Sequence, residues 1–321
     1  MSALAFVLLD DPTTPDMSTV AKALRTRHPQ LPVETVSDNS PTGVRHVGSP
    51  LIRCGDELVA VMSMPAPIPQ DPGLWSRTAT TWPEGKTIAA RHRGHLIVSV
   101  VGKGQQPLPA ARLSTAVIGA LIAVIPECCG VVWGGKVARP ARLWLEMSSR
   151  SFAPFPDYPF TLWLDILPFR SHAGIGAVTM GLAAFAGREI EFETAKLPFP
   201  TMIDKVTGLA AYLVEHGNVV KDGDTFGGDE RERFAVRYKN SDRFGGMTAV
   251  APRGPRPRRR RPNAGRSIKN RLAPTLLPIA SATGPRPRRA RCLRRHQARL
   301  GLRPLTQHEL SPPKMFGALR A

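Results

Sequence analysis

Apolar and polar positions alternate with two periods along residues 1–250, near 2 in some stretches and near 3.6 in others, so strands and helices are expected in turn. Ala5–Leu9 is a short apolar run closed by Asp10-Asp11-Pro12, which predicts a strand and a turn. Asp16 and Ser18 are N-cap candidates for a helix reaching about Arg27, with Val20, Ala23 and Leu24 on its inner face. Pro29 and Pro32 end it, and Val33–Val36 resumes as a strand. Leu51–Cys54 and Glu57–Met64 read as a hairpin turning at Gly55-Asp56. The next segment, MPAPIPQDP, holds too many prolines for a central strand.

The second unit repeats this plan. His95–Val101 is a β-branched run, Ala110–Ile125 is a helix apolar on all sides, and Val131–Trp133 is a strand. Farther on, Phe160–Leu167 reads as a strand and Ala177–Phe185 as a small-residue strand or turn. Arg188–Thr194 alternates without a break. Ile190 and Phe192 face one way, and Glu189, Glu191 and Glu193 face the other as a solvated row. Thr201–His216 is a helix with Ile203, Val206, Leu209, Ala210 and Leu213 on one face and Gly217 just past its end. Arg233–Tyr238 is a late strand.

Hairpins near Gly55 and Gly187 break the strict alternation that a doubly wound parallel sheet requires. The expected class is therefore α+β: mostly antiparallel sheets with helices on one face, built from tandem ferredoxin-like units. Residues 1–250 form the globular region, with a sub-boundary expected near 145–158.

Charge separates this region from the rest of the chain. The chain has 321 residues and a formal net charge of +19. Residues 1–250 carry 25 basic and 24 acidic side chains, whereas residues 251–321 carry 19 basic side chains and one acid, Glu309. Seventeen of those 19 are Arg, set among Pro, Ala, Gly and Leu, a composition that GC-rich DNA yields when read out of frame. The expectation for 251–321 is a disordered Arg/Pro-rich tail, a frameshift product or an acquired appendage. If the tail is genuine, its arginines could neutralise phosphates, but with Phe316 as its one aromatic ring it lacks a platform for stacking bases.

Other classes are disfavoured. The longest uncharged apolar run, LSTAVIGALIAVIP between Arg112 and Glu127, is shorter than the ~20 residues a helical membrane span needs, so no membrane association is expected. The start has an apolar stretch without a basic flank, which argues for a first strand and against a signal peptide. Cys54, Cys128, Cys129 and Cys292 form neither a zinc-type pairing nor a disulfide framework, so a reducing cytoplasm is expected.

Candidate chemistry is sparse. Gly102-Lys103-Gly104-Gln105-Gln106-Pro107 sits between a strand and a helix, but Pro107 occupies the third glycine position of a dinucleotide fingerprint, and no cofactor is expected. Asp222-Gly223-Asp224-Thr225-Phe226-Gly227-Gly228-Asp229-Glu230 could offer carboxylates to a cation, yet it lacks the ligand pattern of a calcium loop and reads better as a turn capped by its own Asp side chains. His92 and His95, three residues apart, could ligate a metal or transfer protons, but no third ligand is evident. No serine stands in a nucleophile elbow. The five tryptophans read as core or rim packing.

Several segments in order resemble a bacterial family catalogued as domain of unknown function 4261. They are Met64–Pro69, Trp82-Pro83, His95–Val100, Gly130–Trp133, Thr179–Leu182, Gly187–Glu191 and Asp222–Gly227. The resemblance spans residues 3–248 and stops near Val250. It implies a bacterial cytoplasmic protein and supplies no catalytic or binding residues.

Three functions compete: a non-enzymatic module that binds a protein partner through a sheet face or edge; a metal-dependent or acid–base enzyme using His92, His95, Asp222 and Asp224; and nucleic-acid binding through the tail. For the third, a gel-shift titration of the full chain against residues 1–250 is decisive: tail-borne binding predicts an affinity that disappears on truncation and falls with salt, and equal affinities would exclude it.

Overall fold

The computed structural model describes residues 4–36, 50–102, 106–172, 174–227, 234–241, 243 and 247–250. The expectations for the tail 251–321 and for Lys103–Gln105 lie outside them.

The first half runs Leu4–Leu9 (β1), Met17–Arg27 (α1), Val33–Thr35 (β2), Leu51–Cys54 (β3), Glu57–Met64 (β4), Pro72–Thr78 (α2), Gly85–Arg91 (α3), Gly94–Val101 (β5), Pro107–Val124 (α4), Cys128–Trp133 (β6), Val137–Pro140 (β7) and Ala141–Ser148 (α5). Its seven strands form one sheet in the order β2-β3-β4-β5-β1-β6-β7, and every neighbouring pair is antiparallel. Within it, β1-α1-β4-β5-α4-β6 is a ferredoxin-like unit: β1 lies between β5 and β6, and β4 lies outside β5.

Local chemistry explains these elements. The Asp16 carboxylate accepts the Ser18 and Thr19 N–H groups and starts α1, as expected of an N-cap. Gly55 has φ +62° at the β3–β4 turn, where a side chain would be strained. On β1, Ala5, Val7 and Leu9 enter the main core with α1 and α4, while Leu8 joins Trp75, Trp82 and Val132 in a smaller cluster on the opposite face. The short pair α2–α3 covers part of that second face. Neither helix is announced by periodicity, because prolines and a run of small polar residues interrupt it.

Helix α4 has 18 residues, longer than its uninterrupted apolar run, because Pro107–Arg112 supply a first turn. It is long and apolar enough to cross a membrane by length and composition, so the length argument does not hold; most of it, Leu113–Leu121 included, is packed inside the protein. A Cβ on Gly119 would run into the Ser148 side chain, so glycine allows α5 to lie against α4.

The second half runs through a 3-10 turn at Phe160–Leu162 to Asp165–Ser171 (β8), Gly174–Met180 (β9), Ala183–Ala186 (α6), Glu189–Thr194 (β10), Phe199–His216 (α7), Thr225–Phe226 (β11), Phe234–Ala235 (β12), Tyr238–Ser241 (β13) and Met247–Val250 (β14). The strand expected over Phe160–Leu167 is displaced: its apolar start turns inward as a 3-10 turn, burying Leu162 and Trp163 instead of extending them. The sheet order is β13-β14-β10-β9-β8, antiparallel except for β10–β14, whose crossover runs through α7. Among the described residues the ferredoxin-like order therefore occurs once, in the first sheet.

A buried ion pair closes the junction between the two sheets. Arg139, on β7, is 5% exposed and places Nη2 2.6 Å from Asp165 Oδ1, 2.9 Å from the Thr161 carbonyl and 3.1 Å from that of Leu164. Beside it, Trp163 lies 6.2 Å from Trp133 and stacks on Tyr158 and Phe185, and its Nε1 donates to Thr115 Oγ1 at 2.8 Å. One hydrophobic core runs through both sheets and this junction.

Removing one partner of such a pair leaves a buried charge without compensation. Asp165→Ala is expected to cost about 3–5 kcal/mol in denaturant unfolding, and Arg139→Met in the same chain to restore much of it. A single variant as stable as wild type would show that the pair does not hold the junction.

Candidate functional site

Both candidate histidines are buried and already occupied. The His92 Nδ1–H donates to the Ala89 carbonyl at 2.6 Å, and Nε2 accepts the Ile68 N–H at 2.9 Å, which defines a neutral tautomer. Burial lowers its pKa below 6.5. His95 Nδ1 donates to the Ala66 carbonyl at 2.7 Å, and its ring meets Phe6 edge-on. Together they fasten the Met64–Pro69 segment, whose prolines leave few N–H groups of its own, across the end of the first sheet.

The candidate aspartates sit in the second half and organise a turn. Asp222 accepts the Tyr238 N–H at 2.7 Å and lies 3.6 Å from Arg237; Asp224 accepts the Lys221 N–H at 2.8 Å. This is the self-capped turn read from the sequence, with Gly223 at φ +90°. Asp229 and Glu230 lie outside the described residues. Among the described residues no contact joins the two aspartates to the histidines, and no three His, Cys, Asp or Glu side chains are grouped to hold a metal ion.

The expectation of a solvated glutamate row is corrected: Glu189 and Glu191 are 3% and 6% exposed. The Glu189 carboxylate accepts from Thr179 Oγ1 at 2.7 Å and from the Gly181, Leu182 and Ala183 N–H groups at 2.8, 3.1 and 3.2 Å. It thereby anchors the β9–α6 turn. Burial alone would raise the Glu191 pKa, but hydrogen bonds from Lys239 and Ser241 outweigh it and lower it. Strand alternation in the sequence cannot tell a solvent row from a row roofed by β13 and its flanking residues. The described thiols are free and pushed up by burial, to about 11 at Cys54 and about 12 at Cys128 and Cys129, which leaves them far from thiolate.

What the structure does leave open is one face of the first sheet. Register places three rows side by side on the face away from α1 and α4: Glu34-Arg53-Leu58-Val101, then Val36-Leu51-Ala60-Ser99-Leu4, then Met62-Ile97-Phe6. Among the described residues, helices α2 and α3 cover the far end of this face, around Leu8 and Val132 and against the edge of Phe6. Leu4, Val36, Met62 and Val101 are 38%, 38%, 43% and 49% exposed. They are four of the six exposed large apolar side chains among the described residues. Sequence inspection misses this face because a half-covered sheet has the same alternation as a covered one; the extra signal is that both sets of alternate residues in Leu58–Met62 are apolar.

Residues 178–247 match the model of DUF4261, a domain of unknown function. The DUF4261 segment begins in β9 and ends at the first residue of β14, so it takes in Glu189, Glu191, α7 and the Asp222–Asp224 turn. Two of the motifs that carry the resemblance, Thr179–Leu182 and Gly187–Glu191, touch each other through the Glu189 carboxylate. The matched segment is shorter than the span 3–248 over which the motifs are spread, and the open sheet face lies outside it. No curated protein and no solved structure matches the chain.

The occupied His92 predicts a pH dependence. Its native pKa is lowered, so below pH 6.5 the unfolded chain takes up a proton that the native protein refuses. Stability is full above 6.5 and falls as pH drops from there toward the lowered native value. His28, lowered by burial and by Arg27, adds to the same window. Urea unfolding between about pH 7 and pH 5 should show this slope, and His92→Gln should flatten it. An unchanged slope in the variant would assign the dependence elsewhere.

Proposed function

We propose that this chain is a non-catalytic interaction module whose working surface is the open face of the first sheet, and that its occupant is a protein. The carrying observation is the gathering of Leu4, Val36, Met62 and Val101 on that one face. Contiguous apolar surface exposed on a folded chain marks a partner site. The ionisable side chains support the same reading. His92, Glu189 and Asp224 spend their hydrogen-bonding capacity on backbone groups of the fold, and acid–base work by His92 would first require its release from Ala89 and Ile68. Free, protonated thiols at Cys54, Cys128 and Cys129 support a reducing compartment, as the cytoplasm of a bacterial cell would provide.

A photoreactive side chain at position 62 and another at Lys86, exposed on α3, compare the two faces within one protein. The expected outcome is a discrete protein crosslink, mapped by mass spectrometry, from position 62 and none from position 86, and its loss when Val101→Glu is added. A turnover that vanishes with His95→Ala or Asp224→Asn would overturn the proposal.

A further inference from the structure

We infer that the protein seated on the open sheet face is a second copy of this chain, packed face to face about a two-fold axis; the inference rests on the interaction-module reading above. Three features of the face favour this occupant.

The first is charge. The only charged side chains in the three open rows are Glu34 and Arg53, which stand directly opposite each other on β2 and β3. A surface evolved for a polyanion or a basic segment would carry one sign in excess. This one is balanced, and two copies of it bury no net charge.

The second is shape. Two-fold packing requires a patch that complements itself. The middle row has a low centre, where Ala60 stands directly beside Ser99, between larger side chains: Leu51 and Val36 on one side and Leu4 on the other. Protruding Met62 and Val101 of one copy can enter this low centre of the other at the ~10 Å spacing of stacked sheets.

The third is area. At about 4.8 Å between strands and about 6.6 Å between alternate residues, the twelve positions of the three rows cover roughly 400 Å² per copy. Two copies bury about 800 Å², below the roughly 1,000 Å² of a stable interface and within the range of transient ones. The dimer is therefore weak and reversible, with a dissociation constant on the order of micromolar.

Sedimentation equilibrium of the full chain, across about 1–200 µM and at about 0.5 M salt to screen its charge, tests this. The expected result is a concentration-dependent rise from 34.9 kDa toward twice that mass. Met62→Glu and Val101→Glu each bury an unpaired charge from both copies in the apolar interface and should raise the dissociation constant about 100-fold or more, with circular dichroism and unfolding midpoint unchanged. Val219→Glu, at an exposed apolar residue outside this face, should leave it unaltered. A monomer throughout overturns the inference. If position 62 still crosslinks a different protein, the interaction-module reading survives; if it crosslinks nothing, both fall. A dimer insensitive to both glutamate variants places self-association elsewhere and also overturns the inference.

Discussion

The two sheets are held in one body by a charge that could not survive there alone. Arg139 is a single side chain at the end of β7, yet it gathers the Thr161 and Leu164 carbonyls and the Asp165 carboxylate, and so fixes where the second sheet begins. A buried guanidinium must be neutralised and hydrogen-bonded on several sides, or its desolvation outweighs its attraction to the acid. That requirement explains why the chain turns at Phe160–Leu162 rather than extending: the 3-10 geometry aims the carbonyls at Arg139 while Trp163 fills the space beside it. The position of β8, and through it β9 and β10, follows from this one satisfied cation.

Much of the first half is legible in the sequence because its elements have single periods. The α1 cap at Asp16, the β3–β4 hairpin at Gly55 and the strand Gly94–Val101 each follow from local rules that tertiary contacts reinforce. The second half is less legible for a physical reason. Glu189 and Glu191 lie on strand positions that suggest solvent, and only contacts distant in sequence or supplied by a turn's backbone bury them. Nothing in the alternation of REIEFET distinguishes a glutamate facing water from one that accepts three N–H groups. Helices α2 and α3 escape a periodicity argument because the prolines around them suggest loops, although Asp71 caps α2 and Pro72 suits its first turn.

The candidate polar residues illustrate how a suggestive spacing is absorbed by structure. His92 and His95, three apart, do share a task, but it is holding a proline-rich segment that cannot satisfy its own backbone groups. Asp222 and Asp224 likewise satisfy the backbone of their own turn and of β13. Most of the exposed large apolar side chains among the described residues lie instead on one sheet face of the ferredoxin-like half, apart from the segment that matches DUF4261.

The indole rings fall into two groups. Trp144 and Trp163 stand 5.9 and 6.2 Å from Trp133 near the inter-sheet junction, whereas Trp75 and Trp82 form their own edge-on pair under α2 and α3. Intrinsic emission from this protein therefore originates in two separate populations. Loosening of the thin outer layer would red-shift one while the other stays blue, so the molecule carries a built-in optical means of telling local fraying from global melting.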